Sequence, residues 1–312
     1  MSAAALEHGQ AVPRRTVWSR LSRHLTGWLF ALPWLVIFLV FLAIPILASL
    51  ALSFTGFGIA NLRDWFSADF VGLDNYSKLL SDERFHKAAR NTAIFVVVGV
   101  PLTLASGLVA ALGLNQAIGR FQALFRVGYY LPVVTSIVAI AVIWRYLLNP
   151  DFGLVNAVLG LVGIDGPNWL GEKSTALASI IALGVWRNFG FDMVIFLAAL
   201  QGINPVLYEA AKVDGATPWA MFRRVTLPLL RPTILFLAVI TSVGYLQLFE
   251  EPFVMTGGGP LDSTLSVAMY VYEQGFRFLN LGYASAVAYA LFIAIVVLTF
   301  IQFRVLRSDE YV

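Results

Sequence analysis

Apolar residues along this chain gather into six long runs, separated by intervals that are polar, charged or rich in turn-forming residues. The runs cover residues 28–54, 90–114, 126–148, 175–200, 227–251 and 283–305. A helix needs about 20 mostly apolar residues to cross the hydrocarbon core of a bilayer, and each run is long enough. Pro33, Pro45, Pro101 and Pro132 fall inside them. Membrane helices tolerate such prolines where neighbouring helices satisfy the freed carbonyls. The pattern predicts an all-α integral membrane protein with six transmembrane helices. It divides the chain into a 1–26 tail, a six-span domain over 27–308 and a short 309–312 tail.

Composition agrees, with 59% hydrophobic and only 12% charged residues, against about 25% charged in soluble domains. The formal net charge of +3 does not signal nucleic-acid binding, because the basic residues sit at the ends of apolar runs. One side collects Arg14, Arg15, Arg20, Arg23, Arg120, Arg126, Lys212, Arg223, Arg224, Arg231, Arg304 and Arg307. The other holds mostly acids, from Asp64 and Asp82 to Asp262 and Glu273. The positive-inside rule then puts both termini and residues 205–226, within a coupling loop over 204–228, in the cytoplasm. The first apolar run is too long for a cleaved signal peptide, and no small-residue cleavage site follows it. Residues 1–13 read as disordered; 14–26 read either as a basic amphipathic helix on the inner leaflet or as a loose basic tail. With no cysteine, and with His8, His24 and His86 far apart, neither a thiolate nor a histidine metal site is expected.

The most informative polar interval is PVLYEAAKVDGATPWAMFRRVTLP, residues 205–228. Asn204 is a good N-cap and Pro205 suits the first helical position, so 205–213 predicts a short helix. Asp214-Gly215 signals its end, because glycine tolerates positive φ. Thr217-Pro218 repeats the cap-and-proline start, and a second short helix runs into Arg223-Arg224 before Pro228. Two helices with a glycine elbow make a compact knob between spans four and five. Glu209, Ala210, Ala211, Asp214, Gly215, Ala216, Phe222, Leu227 and Pro228 resemble the EAA loop of permease subunits from bacterial ABC importers. That resemblance implies a cytoplasmic coupling helix, with Glu209 through Ala211, Asp214 through Ala216 and Phe222 docking into an ATPase subunit. Small side chains at Ala210 and Ala211 allow close approach, and Glu209 is the acid available to a basic group in the cleft.

Further motifs narrow the resemblance. FVGLDNY, WRYLLNPDFGLVN and TGGGP stand before the second, after the third and after the fifth spans. In that order they are similar to the sugar branch, and within it to the maltose-type and glycerol-phosphate-type first permease. The family implies a multi-pass protein of the bacterial inner membrane that forms its pathway with a second homologous permease. It implies two copies of a cytoplasmic ATPase, which would bind ATP-Mg, and an extracytoplasmic solute-binding protein. This chain has no Gly-x-x-x-x-Gly-Lys-Ser/Thr phosphate loop, since Gly257-Gly258-Gly259 lacks the lysine. No cofactor and no catalytic set are therefore expected on it.

Ionisable groups at membrane depth are costly and are functional candidates by default. Span four carries Arg187, Asn188 and Asp192; Arg187 and Asp192 either pair with each other or line a pathway. In span five, Thr241, Gly244, Tyr245 and Leu248 share one helical face, while Glu250 and Glu251 fall near its far end. The resemblance implies that Asn188, Phe191, Thr241, Gly244, Tyr245 and Leu248 hold the solute, with Arg187 beside them. Disaccharide, oligosaccharide, amino sugar and glycerol phosphate diester all fit. The rival reading is an ion-coupled secondary transporter acting alone, with Arg187 and Asp192 as a relay. The sequence shows neither paired intramembrane carboxylates nor an inverted repeat to support it.

Overall fold

The computed structural model describes the backbone of residues 17–64, 67–116 and 120–306, with side chains from Trp28 onward except at 120–121. The expectations for residues 1–13 and 309–312, for the basic side chains of 14–26, and for Arg120 and Arg307 fall outside that description. Among the described residues the regular structure is helical, apart from one isolated bridge between Thr55 and Phe70. Five helices are long and apolar enough to span a bilayer: Trp28–Ser53, Glu83–Gln116, Lys173–Gln201, Arg231–Met255 and Leu281–Leu306. We refer to these as spans one, two, four, five and six. The run expected as a single third helix is instead two helices, Gln122–Val134 and Ile137–Leu147, bent by 98°. Pro132 lies in the last turn of the first half, and Ser136 takes ψ 122°, an extended value that no helical residue adopts. A sliding count of apolar residues cannot see such a corner.

Span one stands as a unit by itself. Its helix runs Val17–Phe38, loosens into one π turn over Leu39–Ala43 and resumes as Ile44–Ser53. Pro45 has no amide hydrogen, and the wide turn just before it absorbs the missing bond.

In the second unit, spans two and four form the core, with Phe95, Ile180, Leu183, Met193 and Phe196 almost wholly buried between and around them. Membrane helices lack a hydrophobic driving force towards each other, so small residues that let backbones touch carry the packing. Gly107 on span two is such a point, since a Cβ there would lie 2.7 Å from the Cβ of Asp192. Gly190 on span four is tighter, because its Cβ would sit 1.9 Å from the carbonyl oxygen of Tyr129 in the third segment. The second half of that segment packs on Glu250–Met255 at the end of span five.

A polar cap closes the end of this unit opposite the 205–228 knob. The phenols of Tyr270 and Tyr283 donate to Asp82 at 2.5 and 2.6 Å, and the amides of Arg84 and Phe85 donate to its other oxygen. Burial alone raises the Asp82 pKa, but these four donors outweigh it and hold the carboxyl below its ordinary value. Burial and the adjacent Asp82 together push the Tyr270 phenol up to about 12. Arg84 bridges Asp262 at 3.1 Å and Glu273 at 2.8 Å. The Asn91 amide donates to the carbonyls of Asp262 and Leu265. These bonds fasten the start of span two to the TGGGP turn, whose Gly257 and Gly258 have φ of 60° and 87°.

Two measurements check this account. Gly190→Ala is expected to lower the thermal midpoint of the purified protein by the equivalent of about 1–3 kcal/mol, the usual cost of overpacking. Gly113→Ala, which meets nothing within 4 Å, leaves the midpoint unchanged or slightly raised; equal effects at both sites would refute the close-contact argument. Asp82→Ala removes the carboxylate that accepts from both phenols and costs about 1–3 kcal/mol at neutral pH. Because the folded pKa of Asp82 is depressed, its contribution is full above the unfolded value near 3.8 and fades as pH falls through the folded value. The wild-type advantage over Asp82→Ala should therefore shrink only below about pH 4.

Candidate functional site

The knob forms as its capping residues dictate. Asn204 accepts a hydrogen bond from the Val206 amide at 3.0 Å, and the helix runs Pro205–Val213. Gly215 takes φ +75°. Its amide bonds the Lys212 carbonyl and the Ala216 amide reaches back to Ala211, the paired bonds of a Schellman ending. Thr217 caps the next turn, Pro218–Met221, by accepting from the Ala220 amide. A π turn over Phe222–Thr226 leads into span five. The hydroxyls of Tyr208 and Thr226 meet at 2.9 Å and tie the two arms together.

Glu209, Ala210, Asp214 and Gly215 are exposed, while Ala211, Ala216 and Phe222 are half-buried. Glu209 makes no ion pair among the described residues. Beside it Val206, Val213 and Trp219 are 60%, 88% and 68% exposed, an apolar set on a polar segment. Trp219 stacks on Phe222. With Tyr208 and Leu112 they wall a cavity of about 470 Å³ at the foot of span two.

A second cavity, of about 270 Å³, opens between spans four and five. Arg187, Asn188 and Phe191 reach it from span four, and Thr241, Gly244, Tyr245 and Leu248 from span five. All seven residues singled out from the sequence therefore face one space. About 20 Å of helix separates Asn188 from Gln201, and Tyr245 from Arg231, so both walls stand at the same depth above the knob. Gly244 is the opening in the wall, with nothing within 4 Å of where a Cβ would stand. Tyr245 is fixed from behind: its hydroxyl donates to Thr103 Oγ1 at 2.6 Å, and Thr103 donates to the Gly99 carbonyl. Its ring meets Phe95 edge-on at 4.7 Å.

Asp192, Gln247, Glu250 and Glu251 line the same cavity. Sequence reasoning left Gln247, Glu250 and Glu251 outside the pathway set and Asp192 open between a pair and a pathway role. For Glu251 a signal existed, since it continues the Gly244 face at i+7. Arg187 and Asp192 do not pair. Five residues apart, they project about 140° from each other around the helix. Arg187 instead donates to the Asn188 side chain at 3.3 Å, and Asn188 donates to the Gly184 carbonyl. Asp192 is 1% exposed, and neither its Oδ2 nor the Arg187 Nε has a hydrogen-bond partner.

Residues 99–308 match the family model described as the binding-protein-dependent transport system inner membrane component. The chain belongs to that family. It is 39% identical over 300 residues to the lactose transport system permease protein LacF of Rhizobium radiobacter, covering 94% of this chain and 98% of that protein. It is 32% identical over 299 residues to the sulfoquinovosyl glycerol transport system permease protein SmoG of Agrobacterium fabrum, covering 96% of each. It also resembles a permease chain in the crystal structure of a bacterial ABC transporter that imports the acidic polysaccharide alginate. There the TM-score is 0.80 at 28% identity, over 94% of this chain and 99% of that one. It likewise resembles, with TM-score 0.79 at 27% identity over 93% of this chain and 97% of that one, a chain in the crystal structure of a bacterial alginate ABC transporter in complex with alginate pentasaccharide-bound periplasmic protein. The protein is thus a membrane-spanning permease subunit of a binding-protein-dependent ABC importer. It is not itself an enzyme, and ATP hydrolysis belongs to a separate subunit.

Breaking the bond behind the cavity tests how the permease holds its wall. Tyr245→Phe and Thr103→Val should each cost about 1 kcal/mol of stability. The double change should cost little more than Thr103→Val alone, because Thr103→Val already removes the bond that Tyr245→Phe removes, together with the one to Gly99. Fully additive losses in thermal midpoint would show that the two hydroxyls act independently.

Proposed function

We propose that this permease carries a sugar or sugar-like solute through the cavity between spans four and five, and that the 205–228 knob couples that movement to ATP. The observation that supports the pathway is the convergence of seven residues from two distant segments on one cavity. An aromatic ring, an amide, hydroxyls and charged groups suit the mixed apolar and hydroxylated faces of a sugar. The names of its relatives support the same class of solute.

In this reading Arg187, Asn188, Phe191, Thr241, Gly244, Tyr245 and Leu248 contact the solute. A second homologous permease completes the pathway in the bacterial inner membrane. Of two ATPase copies binding ATP-Mg, one docks on the knob through Glu209, Ala210, Ala211, Asp214, Gly215, Ala216 and Phe222. An extracytoplasmic binding protein delivers the solute at the opposite end. Both termini and residues 205–226 are cytoplasmic. The exposed Val206, Val213 and Trp219 would give the docked ATPase an apolar contact around the Glu209 carboxylate. ATP-driven closure would act on spans four and five together, since the knob joins them directly. A bound state can shift such an equilibrium only by its differential contacts with the two forms.

A membrane-impermeant thiol reagent applied to intact cells should label Leu261→Cys and spare Val213→Cys, with the reverse in inside-out vesicles. Labelling of both from one side would overturn the topology. Glu209→Lys and Gly215→Arg should leave insertion intact and lower ATP-driven uptake at least about tenfold, through loss of a charged contact of about 1.5–3 kcal/mol and strain at a positive φ. Normal uptake by both variants at normal expression would sink the coupling assignment.

A further inference from the structure

A further cavity, of about 330 Å³, lies at the end of the second unit opposite the knob, between the starts of spans two and four and residues 261–263 after the TGGGP turn. Lys87 and Arg90 of span two and Lys173 of span four line it, all three exposed. None of them forms an ion pair among the described residues. Asp262 is the one acid in the lining, and Arg84 already binds its carboxylate at 3.1 Å. Lysine and arginine are cations at neutral pH, so the lining carries a surplus of positive charge. The floor is different. Ile94 and Leu177 stand one helical turn below Arg90 and Lys173 and line the same space. Arg90 opens the apolar run 90–114, and the run 175–200 begins two residues after Lys173. The cations therefore sit where hydrocarbon gives way to headgroups, and the floor sits on the hydrocarbon side. One turn further along, at Val98 and Ile181, an apolar groove of about 910 Å³ begins between the same two helices.

We propose that this cavity and the head of the groove hold an anionic phospholipid of the leaflet remote from the knob, with Lys87, Arg90 and Lys173 around its phosphate and one acyl chain over Ile94, Leu177 and Val98. A soluble partner could answer the cations from the water but not the apolar floor. A packed helix could cover the groove but would leave the cations unanswered. A phospholipid brings phosphate and hydrocarbon together at the depth where the lining changes. Basic pockets between membrane helices recognise phosphorylated headgroups in this way, the ammonium and guanidinium groups donating to phosphate oxygens. The inference depends neither on the solute pathway nor on which side of the membrane the knob faces.

The chain contains no cysteine, so Leu261→Cys, at a lining residue that is 74% exposed, gives one attachment point for a fluorophore. The assembled importer, its other subunits made cysteine-free, is placed in lipid nanodiscs. These contain phosphatidylglycerol or phosphatidylcholine carrying a nitroxide near the head of one chain. Half-quenching should need at least about fivefold less phosphatidylglycerol than phosphatidylcholine, the preference that one basic residue supplies at an anionic surface. Lys87→Gln, Arg90→Gln and Lys173→Gln together should bring the two curves together. Lys173→Gln alone should narrow the gap if the triple variant fails to assemble. Coincident curves with all the cations present overturn the inference, as does a preference unmoved by the substitutions. Quenching by neither lipid would show the site covered by another subunit, and the inference falls. Release of the labelled lipid by inorganic phosphate, beyond that caused by chloride at equal ionic strength, would mark a site for free anions and overturn it too. Coincident curves, together with loss in the triple variant of the stimulation of ATP hydrolysis by the binding protein, would make the cavity a docking point for that protein instead.

Discussion

Polar groups at mid-depth in a bilayer must find partners inside the protein, and much of this bundle is arranged around that constraint. Span four carries Arg187, Asn188 and Asp192 within two turns, in a helix otherwise made of apolar and small residues. Span two and the third segment pack so closely on its other faces, at Gly107 and Gly190, that little room is left there for a charge. The polar side chains are gathered into the space facing span five. There Asn188 satisfies a carbonyl of its own helix, Arg187 bonds Asn188, and Tyr245 is held upright by Thr103. The cavity is what remains when three helices touch and the fourth stands off at Gly244.

The same two helices meet again at the knob. Span four ends at Gln201, the two short helices follow, and a π turn feeds span five. The Tyr208–Thr226 bond joins the arms, so the segment is a braced link rather than a slack loop. Under the proposed docking, a displacement of the knob is delivered to both walls of the cavity through about 20 Å of helix on each side. The far end is fastened differently. The Asp82 and Arg84 networks bind the start of span two to the 256–278 segment, giving a stiff rim at the face where a binding protein would sit.

Family membership leaves the solute open in a physically informative way. Relatives of similar overall likeness are named for lactose, sulfoquinovosyl glycerol and alginate, which differ in charge as well as size. A shared bundle can serve all three only if discrimination lies in a few side chains of the pathway. Under the proposed pathway, the candidates in this chain are the side chains that line the cavity between spans four and five.

The sequence by itself determined the number and position of the apolar runs, the knob with its caps, and the shared face of Thr241, Gly244, Tyr245 and Leu248. These are local matters: helix length against bilayer thickness, N-cap and glycine chemistry, and a face repeated at i, i+3, i+4 and i+7. It also carried the EAA resemblance, because those residues are contiguous. What it could not supply was any relation between segments. The 98° corner in the third run depends on the backbone of Ser136 and not on apolarity. That Arg187 and Asp192 stand apart follows from helical geometry, but what each faces is decided by the neighbouring helices. Above all, the sequence could not show that Asp192 of span four and Glu251 of span five line one cavity. The break at Gln247–Phe249 lets the Glu250–Met255 turn re-enter the bundle against the third segment. Residues far apart along the chain meet only through packing, and packing is a property of all the surfaces at once.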